Sequence, residues 1–294
     1  MKLLTFKKQG VEQIGVIAKD GTSLCPMSKG GLIFHSMNDF IDHATPEDFN
    51  ILKALAEEET GSITLSEIEM MAPIPTPKQD IICLGINYSA HAEESARFKK
   101  EAFEKDQPSI AVYFSKRVDM AVADGAAISS HEDIVDSLDY EVELAVVIGK
   151  DGKNITKENV YDYILGYTIL NDVSARNLQT RHKQWYFGKS LDGFTPMGPF
   201  IVTVDEFDKP PVLAIKSRVN GELRQDSNTS LMITTIEDAI CELSRGMTLK
   251  SGTIISMGTP AGVGMGFTPP KFLKKGDVVE CEIEGIGCLK NFID

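Results

Sequence analysis

The sequence predicts an α+β fold rich in β-structure, with a small N-terminal α+β domain over residues 1–72 and a larger domain over residues 73–294. Two observations support this class. Strand-like apolar runs dominate the larger part, and they do not alternate with helices as in a doubly wound parallel sheet. Three prolines in Ala72-Pro-Ile-Pro-Thr-Pro-Lys78 cannot continue a helix or a central strand, so they mark the boundary. A proline-rich loop within one domain is the alternative.

The N-terminal part combines strand and helix patterns. Residues 2–6 and 13–18 alternate as strands do, and Asp20-Gly21 predicts a turn after them. A helix is predicted from Thr45-Pro46 to Glu58, because proline is favoured at the first helical position. Residues 63–71 have a mixed pattern that leads to the boundary.

The larger part contains mostly short apolar runs. These runs predict strands at residues 80–84, 142–148, 163–170, 253–257, 278–283 and 288–293. Helices are predicted at residues 89–104, which are polar, and at residues 236–243. Val219-Asn-Gly-Glu222 predicts a hairpin, because Asn-Gly accepts the positive φ angles of a type I′ turn.

Composition narrows the class of function. The chain has 294 residues, of which 43 are acidic and 30 are lysine or arginine, so its formal charge is −13. This acidity argues against general nucleic-acid binding and against docking on an anionic membrane. The five cysteines form no C-x-x-C pair, and no segment is long and apolar enough for a membrane span or a signal peptide. We therefore expect a reduced, soluble, cytoplasmic protein.

Three carboxylates at the ends of predicted strands are candidate metal ligands. In Asp139-Tyr-Glu141-Val-Glu143-Leu, both glutamates project to the same face of a strand. Two like charges side by side repel, so a hard divalent cation is one explanation, and a solvent-exposed strand end is the other. Asp172 ends the next apolar run and supplies a third carboxylate. Alternatively, Asn171, Asp172 or Ser174 caps a helix over residues 174–181.

Three further features are candidates for chemistry. His91 and Glu94 are helical neighbours, which suits a general base oriented by a carboxylate, although a surface ion pair has the same spacing. Lys189 lies in a Gly/Pro-rich segment and is either an oxyanion-stabilising cation or an exposed loop lysine. Gly258-Thr259-Pro-Ala-Gly262-Val-Gly264 offers backbone N–H groups and a hydroxyl to an anion, or is a plain connecting turn.

Four motifs together resemble the fumarylacetoacetate hydrolase superfamily. They are Asp139-Tyr-Glu141-Val-Glu143-Leu, Asn171-Asp172-Val-Ser174, Gly188-Lys189-Ser190 and Gly258-Thr259-Pro-Ala-Gly262-Val263, in this order, within residues 75–294. The resemblance implies a mixed β-roll catalytic domain, often with a small N-terminal domain, and usually a homodimer. It also implies Mg²⁺, Mn²⁺ or Ca²⁺ as cofactor and a small 2-oxo or 1,3-diketo acid as substrate.

The resemblance assigns roles to individual residues. It implies Glu141, Glu143 and Asp172 as metal ligands, and His91 with Glu94 as a water-activating dyad in a mobile lid. It implies that Lys189 stabilises an enolate. The implied substrate contacts are Tyr88, Arg176, Gln179, Gly258 and Thr259, and Lys116 matches a pocket lysine of acylpyruvate-cleaving members.

Other segments are most similar to the bacterial branch that hydrolyses 2,4-diketo-3-deoxy sugar acids and other acylpyruvates. They are Val219-Asn-Gly-Glu-Leu-Arg-Gln225-Asp, residues 189–199 and Gly262-Val-Gly264-Met-Gly266. Oxaloacetate- and acylpyruvate-processing relatives often have Gly-Arg-Asn-Tyr at the lid entrance, and here Ile86 replaces that arginine. The change removes a carboxylate partner and weakens the expectation of a small oxaloacetate-like substrate. Lid residues 97–106 also form a longer segment than in that branch.

The expected activity is therefore metal-dependent hydrolysis of a C–C bond in an acylpyruvate or 2,4-diketo acid, giving pyruvate and a carboxylic acid. Oxaloacetate decarboxylation and isomerisation of a 2-hydroxy-dienoate are alternatives, since both use the same metal and enolate chemistry. A non-catalytic binding protein with this fold is the alternative from another class.

Overall fold

A computed structural model describes residues 1–98 and 110–294 of the chain. The strands are β1 Lys2–Lys8, β2 Val11–Ile17, β3 Ser23–Pro26, β4 Ile63–Thr64, β5 Glu69–Met70, β6 Ile81–Gly85, β7 Val112–Lys116, β8 Ala127–Ile128, β9 Leu138–Asp139, β10 Val142–Ile148, β11 Ile164–Asn171, β12 Ser174–Ala175, β13 Met197–Thr203, β14 Ala214–Val219, β15 Glu222–Asn228, β16 Ile254–Ser256, β17 Val278–Ile283 and β18 Gly287–Ile293. The α-helices are α1 Met37–His43, α2 Pro46–Ala56, α3 Ser89–Phe98, α4 Arg176–Arg181, α5 Tyr186–Lys189 and α6 Ile236–Gly246.

These strands form two large mixed sheets and one small one. The largest sheet has the order β4-β3-β2-β1-β13-β11-β10-β16-β6-β7, with β5 paired to β1. The second has the order β15-β14-β17-β18-β8, and β9 pairs with β12 alone. The pairs β16–β6 and β18–β8 are parallel, and the other paired strands are antiparallel. The architecture confirms the predicted α+β, sheet-rich class.

Strand β10 shows why the sequence forms this sheet. Every residue from Val142 to Ile148 is buried, as expected for a continuous apolar run covered on both faces. It pairs with β11 on one side and with β16 on the other, so it lies inside the sheet. The hairpin between β14 and β15 also forms as predicted, with φ of 50° at Asn220 and 80° at Gly221.

The N-terminal part is joined to the rest by strand pairing. Strand β1 pairs with β13, so one sheet continues across residue 72. Leu3 and Phe40 belong to the same apolar cluster as Val147 and Leu170, so the core is continuous too. The division into two domains remains a prediction.

The predicted helix at Thr45-Pro46 begins as expected. Thr45 accepts a hydrogen bond from the backbone N–H of Asp48, whose side chain accepts one in return from the Thr45 backbone. Helix α1 was not predicted from the sequence.

Helix α3 begins at Ser89, where the sequence predicts a helix. The rest of that predicted helix after residue 98, and most of the predicted lid over residues 97–106, lie outside the described residues. In the part of the chain that the structure describes, no helix is both long and apolar enough to cross a membrane.

Candidate active site

A small pocket lies where β6, β7, β10, α3, α4 and α5 converge. Its polar lining consists of His91, Ser95, Glu141, Glu143, Arg176, Gln179, Lys189 and Thr259. Its apolar lining consists of Leu84, Ile86, Phe114, Trp185 and Met265. A pocket lined by both charged and apolar side chains is typical of a site for a small anionic molecule.

Antiparallel pairing brings the three predicted ligands together. Val142 lies opposite Asn171 in the β10–β11 pair. Glu141 and Asp172, which flank these two residues, therefore lie next to each other. The Asp172 backbone N–H donates to the carbonyl of Glu141 over 2.9 Å. Glu141, Glu143 and Asp172, called the carboxylate triad below, are all buried, and one ligand atom from each lies within 4.8 Å of the others. Burial rules out the alternative of a solvent-exposed strand end.

The alternative of a helix cap is also wrong. Helix α4 begins at Arg176, and the residue before it, Ala175, makes no side-chain capping hydrogen bond. Asn171 instead accepts from the backbone N–H of Glu141 over 3.0 Å, and the Ser174 hydroxyl donates to the Asp172 carbonyl over 2.9 Å. These bonds fix the backbone next to the triad.

Two buried lysines partly compensate the triad. Lys189 Nζ lies 2.8 Å from Glu141 Oε2 and 2.7 Å from Asp172 Oδ2. Lys116 Nζ donates to Asp172 Oδ1 over 2.7 Å and to the backbone carbonyl of Lys189 over 2.5 Å. Lys189 is 2% exposed, so it is not the exposed loop lysine of the alternative. The sequence places it in a loop, whereas the structure places it at the end of helix α5.

Glu143 is the least compensated member of the triad. Its carboxylate accepts from the Ser256 hydroxyl over 2.5 Å and from the Gly258 backbone N–H over 3.0 Å. Within the described residues, no lysine or arginine lies in ion-pair distance of it. Burial and the charges of Asp172 and Glu141 therefore raise the pKa of Glu143 well above its ordinary value.

Glu141 has the opposite environment. Burial disfavours its charged form, but the charges of Lys189 and Arg176 outweigh burial and lower the pKa of Glu141. A divalent cation between the three carboxylates would supply the positive charge that Glu143 lacks. Three carboxylate oxygens are a ligand set for a hard cation, so the residues present fit a metal ion.

Arg176 forms one wall beside the triad. Its Nε donates to Asp139 over 2.8 Å, and its Nη1 lies 2.6 Å from Glu141 and donates to Gln179 over 2.9 Å. The Nη2 atom is buried without a hydrogen-bond partner in the described part of the chain. This atom is a donor that an anionic ligand in the pocket can use.

His91 and Glu94 lie on helix α3, and His91 lines the same pocket. His91 Nδ1 is 3.1 Å from Glu94 Oε2, and both side chains are buried, so they are not a surface pair. The Ser95 hydroxyl lies 3.4 Å from His91 Nε2. The backbone N–H of Gly262 donates to Glu94 over 3.0 Å, which attaches α3 to the loop of residues 258–266, called the glycine loop below.

The glycine loop differs from the expectation that its N–H groups are free for a ligand. The N–H groups of Gly258, Gly262 and Gly264 donate to Glu143, Glu94 and Asp139 respectively. The loop therefore binds the protein's own carboxylates.

Thr259 lines the pocket, but its hydroxyl donates to the Val142 carbonyl and accepts from Gln225. Tyr88 and Gly258 are not among the described residues that line the pocket. Tyr88 is buried nearby, with a hydroxyl that has no partner in the described part of the chain. Their substrate-binding roles stay predictions.

Sequence reasoning gave no role to several residues that build the site. They are Asp139, Ser256, Gln225 and the apolar wall of Phe114 and Trp185, whose rings pack edge to face at 5.3 Å. A signal existed only for Asp139, which lies two residues before Glu141 in the acidic motif. Ile86 has a positive φ of 55°, a backbone conformation that is unusual for a β-branched residue and that its sequence does not indicate.

The sheet-rich fold and the buried carboxylate triad are typical of an enzyme whose site fits a metal ion, and comparison with known proteins identifies the family. Residues 80–294 match the family model described as fumarylacetoacetate (FAA) hydrolase C-terminal, and the chain belongs to this family. The family assignment confirms the resemblance that the sequence motifs indicate.

Similar proteins have more than one activity. Oxaloacetate tautomerase YisK of Bacillus subtilis (strain 168) is 49% identical over 238 residues, which are 80% of this chain and 77% of that protein. The structure of fumarylacetoacetate hydrolase from psychrophilic Exiguobacterium antarcticum has a TM-score of 0.86 and 37% identity, with 100% of this chain and 99% of that chain covered. A 5-carboxymethyl-2-hydroxymuconate delta-isomerase from Mycobacterium smegmatis has a TM-score of 0.74 and 30% identity over 100% and 99% of the two chains.

Proposed function

We propose that this protein is a divalent-metal-dependent enzyme that interconverts the enol and keto forms of a short 2-oxo acid, with oxaloacetate as the first candidate. The observation that carries the proposal is the carboxylate triad, of which Glu141 and Glu143 line the pocket together with two cations, Lys189 and Arg176. A 2-oxo acid presents a carboxylate and a neighbouring carbonyl oxygen, which match a metal ion flanked by cations. The similarity to an oxaloacetate tautomerase supports the choice of reaction.

Glu141, Glu143 and Asp172 would hold Mg²⁺ or Mn²⁺, with Ca²⁺ as a further possibility. An ion held there would supply Lewis acidity, which would make the hydrogens on C3 of a 2-oxo acid more acidic. Lys189 provides a positive charge beside the oxygen on which negative charge develops.

His91 is proposed to move the proton. Contact of Nδ1 with the Glu94 carboxylate favours the tautomer that carries its hydrogen on Nδ1, which leaves Nε2 as a base. In the keto-to-enol direction, Nε2 accepts a proton from C3, and the imidazolium then gives a proton, through a solvent water molecule, to the 2-oxo oxygen. In the reverse direction, the enol O–H proton passes back to Nε2 and the imidazolium delivers a proton to C3, so one proton moves in each direction and His91 ends neutral.

Recognition of the substrate is proposed to involve Arg176 and Gln179. Arg176 lines the pocket, and its buried Nη2 has no partner in the described residues, so this atom is proposed to donate to a substrate carboxylate. Gln179 lines the same wall, held by its hydrogen bond with Arg176 Nη1.

Hydrolysis of an acylpyruvate to pyruvate and a carboxylic acid is the second candidate. The buried His91–Glu94 pair favours it, because the same base can take a proton from a water molecule that then attacks the distal carbonyl. Decarboxylation of oxaloacetate and isomerisation of a hydroxy-dienoate need the metal and the cations, but no attacking water. We also propose a homodimer, as the family resemblance implies.

The test follows the enol absorbance of oxaloacetate and of acetylpyruvate with Mg²⁺ or Mn²⁺, and again with EDTA. Glu143→Ala protein at the same metal concentration gives the background, because free metal ions also catalyse enolisation. If the protein is a tautomerase, the enol form of oxaloacetate should disappear faster than in the background reaction. The product should be reducible by malate dehydrogenase, and no carbon dioxide should form. Carbon dioxide with pyruvate would indicate decarboxylation, and pyruvate with acetate would indicate hydrolysis. No loss above background, from protein that binds the metal, would contradict the proposed function and favour a binding protein.

A further inference from the structure

We propose that Asp139 is a positioning residue that holds two separate parts of the site in place, the Arg176 wall and the part of the glycine loop that contacts Glu94. Asp139 is fully buried and is not among the described residues that line the pocket, so it acts through other residues. This inference rests on the proposed function for its kinetic half only.

The first part is the guanidinium of Arg176. Asp139 Oδ2 accepts from Nε over 2.8 Å, while Glu141 and Gln179 contact Nη1. These contacts leave Nη2 as the donor without a partner in the described residues. Because Nε and Nη1 are both fixed, the planar guanidinium cannot rotate, so Asp139 determines where Nη2 is presented to a ligand.

The second part is the turn Gly264–Gly266. Asp139 Oδ1 accepts from the Gly264 N–H over 2.6 Å, and Oδ2 accepts from the Met265 N–H over 3.0 Å. A Cβ on Gly264 would lie 2.6 Å from Asp139 Oδ1, so the turn closely surrounds the carboxylate. Met265 itself lines the pocket.

The same turn supports Glu94. A Cβ on Gly266 would lie 1.7 Å from Glu94 Oε1, so the turn and the Glu94 carboxylate are in direct contact. Gly262 in the same loop donates to that carboxylate over 3.0 Å. Asp139 is therefore connected through Gly264–Gly266 to Glu94 and His91, and through Nε to Arg176. One buried carboxylate is thus connected both to Arg176 and to the helix that carries His91 and Glu94.

The substitution Asp139→Asn tests this role with almost no change of shape. The amide nitrogen replaces one carboxylate oxygen. An N–H donor then faces either Arg176 Nε and the Met265 N–H, or the backbone N–H groups of Gly264 and Tyr140. The control is Asp136→Asn, which makes the same change at a nearby exposed aspartate.

Two measurements separate the halves of the proposal. Calorimetry with oxalate and Mg²⁺ measures ligand affinity, which depends on Arg176 and needs no turnover. Oxalate is suitable because it presents two neighbouring oxygens, as the enolate of a 2-oxo acid does. Turnover of the enol substrate reports on the His91–Glu94 pair. We expect both oxalate affinity and kcat to fall by about 10–100-fold, as is typical when a buried supporting carboxylate is removed. Affinity for Mg²⁺ alone should stay within about threefold, and Asp136→Asn should match wild type.

A double-mutant cycle distinguishes positioning from general destabilisation. Oxalate affinity of Asp139→Asn combined with Arg176→Lys should equal that of Arg176→Lys alone, because Asp139 acts through Arg176. Independent, additive losses, or a lower unfolding temperature with unchanged oxalate affinity and kcat, would overturn the proposal. If the wild-type protein does not turn over the enol substrate, the proposed function is contradicted. The oxalate affinities would still show whether Asp139 positions Arg176.

Discussion

The two sides of the pocket are built in different ways. The carboxylate triad lies at the ends of β10 and β11, whose hydrogen-bonded pairing fixes the backbone on both sides of it. His91 and Glu94 lie on helix α3, and they are attached to the glycine loop by contacts between residues 168 positions apart. The first side depends on local pairing of adjacent strands, and the second on the packing of distant segments.

This difference predicts different consequences of mutation. Charges on the triad side hold a ligand in place, so changes there should remove binding. Contacts on the α3 side orient a proton-transfer group, so changes there should alter turnover and leave metal binding intact. Substitutions on each side therefore distinguish the two roles.

The substitution Glu143→Ala should abolish metal binding and lower activity by about 10³-fold or more, because a bound ion supplies several kcal/mol of charge stabilisation. Calorimetry with Mn²⁺ and the enol assay are the measurements. Glu132→Ala changes an exposed glutamate and should match wild type. Normal Mn²⁺ affinity in Glu143→Ala would place the metal elsewhere.

The substitution His91→Ala should lower kcat by about 10²–10⁴-fold, the usual contribution of a general base. Affinity for Mn²⁺ should remain within about threefold, because His91 is not part of the triad. His43→Ala, which changes a histidine on the exposed end of helix α1, is the matched control. A parallel loss of metal affinity in His91→Ala would show that the two sides are not separable.

The substitution Gly266→Ala should lower kcat by up to about 10²-fold, because displacement of a catalytic group by about 1 Å can have that effect. The new Cβ would lie 1.7 Å from Glu94 Oε1, so the carboxylate must move away from its present position. Gly246→Ala is the control, since a Cβ there meets no atom within 4 Å. Unchanged kcat in Gly266→Ala would show that the position of Glu94 is unimportant.

The triad side could be predicted from the sequence, and its surroundings could not. Glu141, Glu143 and Asp172 are recognisable because carboxylates at the ends of apolar strands are unusual, and strand geometry places the two glutamates on one face. The apolar run of residues 142–148 likewise determined a buried strand at the observed position.

The supporting contacts depend on tertiary structure. Nothing in the glycine loop indicates that its N–H groups bind Glu94, Glu143 and Asp139, because those partners are far away in sequence. Helix α1 and the pairing of β1 with β13 were missed for a similar reason, since short segments are stabilised mainly by what they pack against.

The smallest predicted effect concerns the pH dependence of stability without metal. The pKa of Glu143 is higher in the folded protein than its ordinary value of 4.5, because of burial and the charges of Asp172 and Glu141. Above about pH 4.5, the folded state therefore keeps a proton that the unfolded state has lost. Stability from this group falls as pH rises, by at most about 1.4 kcal/mol per pH unit, until Glu143 ionises in the folded protein.

Glu143→Gln should remove this dependence, because a glutamine does not titrate. In EDTA, the unfolding midpoint in urea should fall more steeply with pH for wild type than for Glu143→Gln, while Glu132→Gln should follow wild type. Adding Mg²⁺ should flatten the wild-type curve, since the cation favours the ionised carboxylate. Parallel curves for wild type and Glu143→Gln in EDTA would show that the triad carries no uncompensated charge, which removes the electrostatic reason for a cation on that side of the pocket.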